Sequence, residues 1–370
     1  MSTAAPAPIY SPGLEGVIAG KSAICTVGRT GDDLRYRGYS VTELSRNNVP
    51  WDEIAYMLIY DRRASTEEMA KWRAEIKAAR ELPHGLVSAL RAIPADVAPM
   101  DVLRTGWSFL GNIYPEDTIG TDKAITHLIG SGPSIITTWF NVHHGGRPQT
   151  NYSEPDQGGF FLHALRGETP TATERKLMNT SFILYTEHGF NASTFAARVT
   201  TSTLSDMYSA IVSAVGTLKG ALHGGANEEA MKLILKYDSP DAAERGVMEM
   251  LSRKDKIMGF GHRVYRIRDP RSDLIKEWTV KLSEERPELP YLKIAERIDE
   301  VMHREKKLFP NADFYHAPAY YMMGIPIPLY TPIFAFARVA GWIAHVLEQR
   351  SENRLIRPTE EYTGPELRPW

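Results

Sequence analysis

The chain has 370 residues, with 43 Lys and Arg against 45 Asp and Glu, and the two signs are interspersed. A formal charge of -2 without a basic face excludes the electrostatic footprint of a nucleic-acid binder, although small anions stay possible. An apolar share of 43% and a charged share of 24% suit a globular chain long enough for a full core and a second domain. The single cysteine, Cys25, excludes an internal disulfide and any cysteine-based zinc site, and it fits a reducing compartment such as the cytoplasm.

In chain order, Met1 to Gly13 is rich in Ala and Pro and lacks both a basic start and an apolar core, which predicts a terminal arm and not a signal peptide. Ile24 to Val27 and Leu34 to Tyr36 flank the turn-rich Gly28-Arg29-Thr30-Gly31-Asp32-Asp33 and predict a β-hairpin. Helix signals dominate after it. Thr171 with Glu174 forms a capping box ahead of Leu177, Met178, Phe182, Ile183 and Tyr185 at helical spacing. From Ser205 to Leu218, apolar Met207, Ile211, Val215 and Leu218 alternate with small residues, so another helix can approach closely, either within the chain or from a second subunit. Ser239-Pro240, Asp269-Pro270 and Thr331-Pro332 each pair an N-cap with an N1 proline, the last opening a helix that ends near Gln349. Arg338 interrupts the most apolar stretch, Pro332 to Leu347, so no membrane span is expected. The chain is predicted to be mainly α.

Several side chains in these segments can carry chemistry. His223 sits in Leu-His-Gly-Gly, where the glycines permit a tight turn that leaves the imidazole reachable; a structural turn histidine is the alternative. His262 follows Gly259-Phe260-Gly261, whose exposed N–H groups suit a phosphate, a carboxylate or the edge of a base, without the third glycine of a dinucleotide fingerprint. His188, in Glu-His-Gly-Phe-Asn, either serves a site or caps the preceding helix. Arg271 falls in a helical first turn, where the macrodipole disfavours a cation and a bound anion would offset the cost. Arg338 in its apolar helix needs a carboxylate or solvent. Arg357, in Leu-Ile-Arg-Pro, is ambiguous alone. Asp313, followed by Phe314 and Tyr315, is a carboxylate whose pKa apolar neighbours can raise toward that of a working base. No His-Glu-x-x-His pairing joins the three histidines, so no metal site is predicted.

Taken in order, these segments resemble the citrate synthase family from Tyr36-Arg37-Gly38-Tyr39 to Tyr362-Thr363-Gly364-Pro365. The motifs are Glu187-His188-Gly189-Phe190-Asn191-Ala192-Ser193-Thr194, His223 in His-Gly-Gly-Ala-Asn-Glu, His262 in Met-Gly-Phe-Gly-His-Arg-Val-Tyr, Arg271 in Asp-Pro-Arg, Asp313 in Asp-Phe-Tyr, Arg338 in Ala-Arg-Val-Ala-Gly-Trp, and Arg357 in Leu-Ile-Arg-Pro. Within the family the non-catalytic segments Pro99 to Gly106, Ser205 to Ala210 and Tyr321 to Pro326 are most similar to 2-methylcitrate synthases.

The resemblance implies an all-α, two-domain helical fold with a small N-terminal β-hairpin. It places a large domain over residues 1–220 and 328–370 and a small domain over 221–327. It implies condensation of an acyl-CoA with oxaloacetate followed by thioester hydrolysis, giving 2-methylcitrate from propionyl-CoA and also citrate from acetyl-CoA. A citrate synthase of the tricarboxylic acid cycle is the alternative, and a non-catalytic CoA-binding protein a further one. By resemblance His223, His262 and Asp313 are catalytic, and His188, Arg271, Arg338 and Arg357 hold oxaloacetate. Lys256, Ile257, Met258, Gly259, Phe260, Gly261 and Arg266 bind CoA, a substrate and not a resident cofactor. The assembly implied is a homodimer in which Arg357 enters the partner's site. One departure stands out: His316 occupies a position where Ser or Gly is common in the family, three residues from the proposed base. It either shifts the pKa of that base or narrows the acyl pocket, or it points away and fills a surface gap.

Overall fold

The computed structural model describes residues 10–146 and 153–370, so the first nine residues of the N-terminal arm lie outside the described residues. Among the described residues seventeen α-helices surround one continuous core, with a single small sheet near the start. The predicted hairpin forms from β1 (Cys25–Val27) and β2 (Leu34–Tyr36), and a third antiparallel strand, β3 (Tyr39–Ser40), extends it. This sheet matters for the site through Tyr36. Its buried hydroxyl donates to the carbonyls of Ile183 and Glu187 at 2.9 and 3.1 Å, so it fastens the chain where a long helix ends.

That helix, Ala172–Tyr185, starts at the predicted capping box, with the Thr171 hydroxyl and the Glu174 carboxylate each satisfying the other's backbone N–H. Burial opposes the Glu174 charge, but bonds from Arg166, the Thr171 N–H and Arg286 prevail and hold its pKa down at about 2. Ser239 and Asp269 cap their helices as predicted, accepting from Ala242 and Arg271 N–H groups ahead of Pro240–Ser252 and Pro270–Glu284. The Thr331-Pro332 start is corrected. A 3-10 turn, Ile327–Leu329, runs directly into Tyr330–Ser351, so Thr331 already lies in the first turn and its hydroxyl donates to Glu228 instead of capping. Pro332 is tolerated there because first-turn N–H groups have no helical acceptor.

The stretch from Ala226 to Met322 forms a group of helices packed on one another: Pro240–Ser252 lies against Tyr291–Lys306, and both Pro270–Glu284 and Ala226–Ile234 lie against Ala312–Met322. The remaining helices gather around Thr121–His144 and Tyr330–Ser351. The latter, with its 3-10 lead-in, is long and apolar enough to cross a membrane by length and composition, contrary to the reading that Arg338 disqualifies it, but 83% of its apolar window is buried inside this fold. The helix Met207–Leu218 buries Met207, Tyr208, Ala210, Ile211, Ala214, Val215 and Leu218 against the chain's own helices Pro99–Ile113, Ala192–Ser202 and Tyr330–Ser351. Its Ser209 is exposed, and Ser213 and Gly216 stay partly open.

Candidate active site

Six segments converge where the two helix groups meet: the turn after Tyr185, the His-Gly-Gly turn, the 256–265 loop, the start of Pro270–Glu284, the start of Ala312–Met322 and the middle of Tyr330–Ser351. The His-Gly-Gly turn needs both glycines for different reasons. A Cβ on Gly224 would lie 2.2 Å from the Leu218 carbonyl oxygen, and Gly225, at φ +85°, is the left-handed residue that opens Ala226–Ile234. The turn brings His223 against Ser193, whose backbone N–H donates to Nε2 at 3.1 Å and whose hydroxyl oxygen lies 2.9 Å from the same atom. A backbone N–H has no acceptor role, so Nε2 carries a lone pair and the ring proton of neutral His223 sits on Nδ1. Burial, then the Arg338 charge, lowers its pKa to about 4.

His262 is held in the opposite tautomer. Its Nδ1 accepts from the N–H groups of Val264 and Tyr265 at 3.0 and 3.2 Å, which leaves the proton on Nε2. Burial and then Arg271 lower its pKa to about 4 as well. Gly259, at φ +90°, lets the loop pass Phe314, whose side chain a Cβ would meet at 2.8 Å. The loop is fastened by bonds from Gly261 N to Phe309 O and from Asn311 N to Gly259 O, both 2.9 Å.

Arg271 is buried, and its compensating partner is a neighbouring carboxylate where the sequence suggested a bound anion. Asp269 accepts from Arg271 N, Nε and Nη2 at 3.1, 2.9 and 2.7 Å, and also from the N–H of Ala312 at 3.0 Å. Burial works against the guanidinium charge, yet the Asp269 attraction outweighs it and raises the pKa. Arg271 Nη2 also lies 3.4 Å from His262 Nε2. Asp269 therefore ties Arg271 and its helix to the start of Ala312–Met322, although sequence reasoning saw in it only an N-cap.

His188 does not cap its helix; Nε2 lies 3.3 Å from the Tyr265 hydroxyl, and its ring centroid is 5.1 Å from that of His262. Burial, then Arg271, lowers its pKa well below the usual histidine value. Arg338 is almost wholly buried without a carboxylate ion pair among the described residues; Nε donates to the Tyr185 carbonyl at 2.6 Å, and the guanidinium lies 4.5 Å from the centre of the Phe334 ring. Burial lowers its pKa, against the pull of Glu187. A guanidinium in that state favours an incoming anion.

Asp313 stands in the first turn of Ala312–Met322, a helix whose N-cap is Asn311. Its Oδ1 accepts from the Tyr185 hydroxyl at 2.7 Å. Burial raises its pKa, and the Tyr185 bond and Arg271 only partly offset that. His316 does not fill a surface gap: it is fully buried, stacked on Tyr185 at 4.2 Å between centroids, with Nδ1 donating to the Ala312 carbonyl at 2.5 Å. Burial drives its pKa to about 3, so it remains neutral.

Not every candidate joins this cluster. Arg357 is exposed on the extended stretch after Ser351, with the preceding Ile356 N–H bonded to Ser202. Lys256 and Arg266 are exposed, whereas Ile257 and Gly259 are buried and Met258, Phe260 and Gly261 are half-buried along the loop. A cleft of ≈ 580 Å³ opens at the His-Gly-Gly turn, lined by Gly224, Gly225, Met258 and Thr331 together with Trp139 and His144. A larger cavity of ≈ 700 Å³, by Glu116, Tyr208 and Arg350, contains none of the candidate residues. Among the described residues no cluster of three or more His, Cys, Asp or Glu is placed to hold a metal ion.

Comparison with known proteins bears on the whole chain. The family model described as "Citrate synthase, C-terminal domain" matches residues 13–359. A 2-methylcitrate synthase of Shewanella oneidensis is 47% identical over 354 residues, covering 95% of this chain and 94% of that one. A citrate/2-methylcitrate synthase of Bacillus subtilis is 39% identical, covering 96% of this chain and 97% of its own. Among solved structures, a citrate synthase from Thermoplasma acidophilum in ternary complex with carboxymethyl coenzyme A and oxaloacetate superposes with a TM-score of 0.90 at 32% identity, over 98% of both chains.

Proposed function

The chain belongs to the citrate synthase family, and from that premise we propose how its residues divide the family's acyltransferase chemistry. The enzyme condenses an acyl-CoA with oxaloacetate and hydrolyses the resulting thioester. We infer that propionyl-CoA yields 2-methylcitrate and acetyl-CoA yields citrate, because the chain is similar over nearly its full length to synthases of both descriptions. One methylene in an apolar pocket is worth only about 1 to 3 kcal/mol, so both acyl groups are turned over.

The observation that carries this reading is the pair of neutral imidazoles presenting N–H groups of opposite tautomer near a buried carboxylate of raised pKa. Asp313 removes a proton from the α-carbon of the thioester. His223 Nδ1–H donates to the carbonyl oxygen on which the enolate charge develops. The enolate carbon attacks the ketone carbon of oxaloacetate, whose oxygen receives a hydrogen bond and then the proton of His262 Nε2, so that Asp313 has gained one proton and His262 has lost one. His188, Arg271 and Arg338 hold the oxaloacetate carboxylates: Asp269 takes Nε and Nη2 of Arg271, leaving Nη1, and Tyr185 takes only Nε of Arg338, leaving its outer edge. Water then gives a proton back to His262 and its hydroxide attacks the thioester carbonyl, while Asp313 returns its proton to the departing coenzyme A thiolate, so both side chains regain their starting states.

The thioester enters the cleft at the His-Gly-Gly turn, with the 256–261 backbone on the adenine end and Arg266 on a phosphate. We take 221–327 as a small domain that closes over oxaloacetate upon the large domain, 1–220 with 328–370, and so excludes water until carbon–carbon bond formation is complete. The exposure of Arg357 in a single chain supports a homodimer in which it completes the partner's carboxylate site, with the open face of Met207–Leu218 in the contact. The single cysteine favours the cytoplasm as compartment.

Coenzyme A release and product mass, measured with oxaloacetate and either propionyl-CoA or acetyl-CoA, test the proposal. The expected result is 2-methylcitrate from the first and citrate from the second, with the larger kcat/KM for propionyl-CoA. Release from neither thioester contradicts condensation, and a larger kcat/KM for acetyl-CoA assigns the enzyme to citrate formation.

A further inference from the structure

The proposed mechanism uses Asp313 but leaves open what holds it. A carboxylate with free rotation offers either oxygen in any direction, whereas proton abstraction from carbon needs one oxygen held in line with the C–H bond. Among the described residues one protein donor meets this carboxylate, the Tyr185 hydroxyl at Oδ1, so Oδ2 is the oxygen left to accept the proton.

Tyr185 is itself held on three sides. Its ring stacks on His316, with centroids 4.2 Å apart at 28°, and its other neighbour is Phe334, at 4.4 Å and 51°. His316 cannot turn away, since Nδ1 is bonded to Ala312 O one helical turn back, and its Nε2 is buried with no hydrogen-bond partner among the described residues. As the last residue of its helix, Tyr185 has a carbonyl that no later helical N–H can satisfy, and Arg338 Nε takes it at 2.6 Å. Phe334 closes the loop by lying under the Arg338 guanidinium at 4.5 Å. One residue thus touches the proposed base through its hydroxyl and the proposed carboxylate-binding arginine through its backbone.

We propose that Tyr185 is the positioning residue of this enzyme: its hydroxyl selects the Asp313 oxygen that takes the proton, and its contacts with His316, Phe334 and Arg338 fix that oxygen relative to bound oxaloacetate. The inference rests on the reading of Asp313 as the base. A purely structural tyrosine would affect folding and leave the titration of the base untouched. A positioning donor affects both the rate and the titration, because a hydrogen bond to the ionised carboxylate favours the charged form.

The test is steady-state kinetics of the full-length protein with oxaloacetate and propionyl-CoA from about pH 5 to pH 9, where bell-shaped profiles report the essential groups. Tyr185→Phe keeps the ring stack and removes the donor. It is expected to lower the plateau kcat by about 10- to 100-fold, to leave the KM for oxaloacetate within about twofold, and to move the acid limb to higher pH. Site-specific 3-fluorotyrosine at 185 keeps the shape and strengthens the donor, so the acid limb moves to lower pH; this decides the matter even when the Phe variant does not fold. An unchanged acid limb with fluorotyrosine, or a Phe variant whose plateau kcat and acid limb both match those of the parent, overturns the proposal. Asp313→Asn separates the two readings. Loss of turnover with oxaloacetate binding retained by calorimetry supports the base, while retained turnover removes the base assignment and the inference with it.

Discussion

The two sides of the site are held in different ways. On the histidine side, backbone N–H groups of Ser193, Val264 and Tyr265 set the tautomers of His223 and His262. On the carboxylate side, side chains do the work: Tyr185 holds Asp313, His316 and Phe334 hold Tyr185, and Asp269 holds Arg271. A backbone donor survives most substitutions at its own position, whereas a side-chain donor disappears with one. The histidine side is therefore robust to point changes in its neighbours, and the carboxylate side is fragile.

The largest expected break is Asp269→Asn. It removes the charge opposite a buried guanidinium and weakens the tie to Ala312, at a cost of about 3 to 5 kcal/mol in unfolding free energy by denaturant titration. The KM for oxaloacetate should rise as well, because Arg271 loses its aim. His316→Ala comes next. The cavity costs about 2 to 5 kcal/mol and losing the unpartnered Nε2 returns part of it, so a net loss of about 1 to 3 kcal/mol accompanies a lower kcat as Tyr185 gains freedom.

Acid acts with opposite sign on the two proton-donating histidines and on Asp313. The pKa values of His223 and His262 fall from 6.5 unfolded to about 4 folded, so the unfolded chain takes up those protons first. Their contribution to stability is complete above pH 6.5 and is lost as the pH falls toward 4. Asp313 is shifted upward, so the folded state takes up its proton first and regains stability over the lower part of the same descent. Thermal unfolding should therefore show a Tm that falls below pH 6.5, and falls more steeply in Asp313→Asn, which lacks that regain, than in the parent. The smallest effect is expected on the robust side. Ser193→Ala keeps the backbone N–H on His223 and should lower kcat by about threefold at most.

What was legible in the sequence follows the same division. Local chemistry showed through: the Thr171–Glu174 box, the Ser239 and Asp269 caps and the early hairpin depend on neighbours a few residues away. Motif order brought His188, His223, His262, Arg271, Asp313 and Arg338 into view, and the fold gathers them. The Thr331 start was misplaced because the 3-10 turn before it begins the helix early and Glu228 claims the hydroxyl. Asp269 passed as a cap since nothing local distinguishes a carboxylate that also neutralises a buried arginine. Tyr185 carried no signal at all: its partner Asp313 is 128 residues away, and a tyrosine closing an apolar helical face reads as core. Phe314 and Tyr315 suggested the raised pKa of Asp313, but the direct contact is made by Tyr185.

Two neutral histidines of opposite tautomer serve the two carbonyl oxygens of the reaction. Nitrogen-15 spectra of protein labelled at histidine, assigned by His223→Gln and His262→Gln, test it most directly at neutral pH. The expected result is a proton on Nδ1 alone for His223 and on Nε2 alone for His262, both persisting when oxaloacetate binds. An imidazolium at either position, or the same tautomer at both, would contradict it.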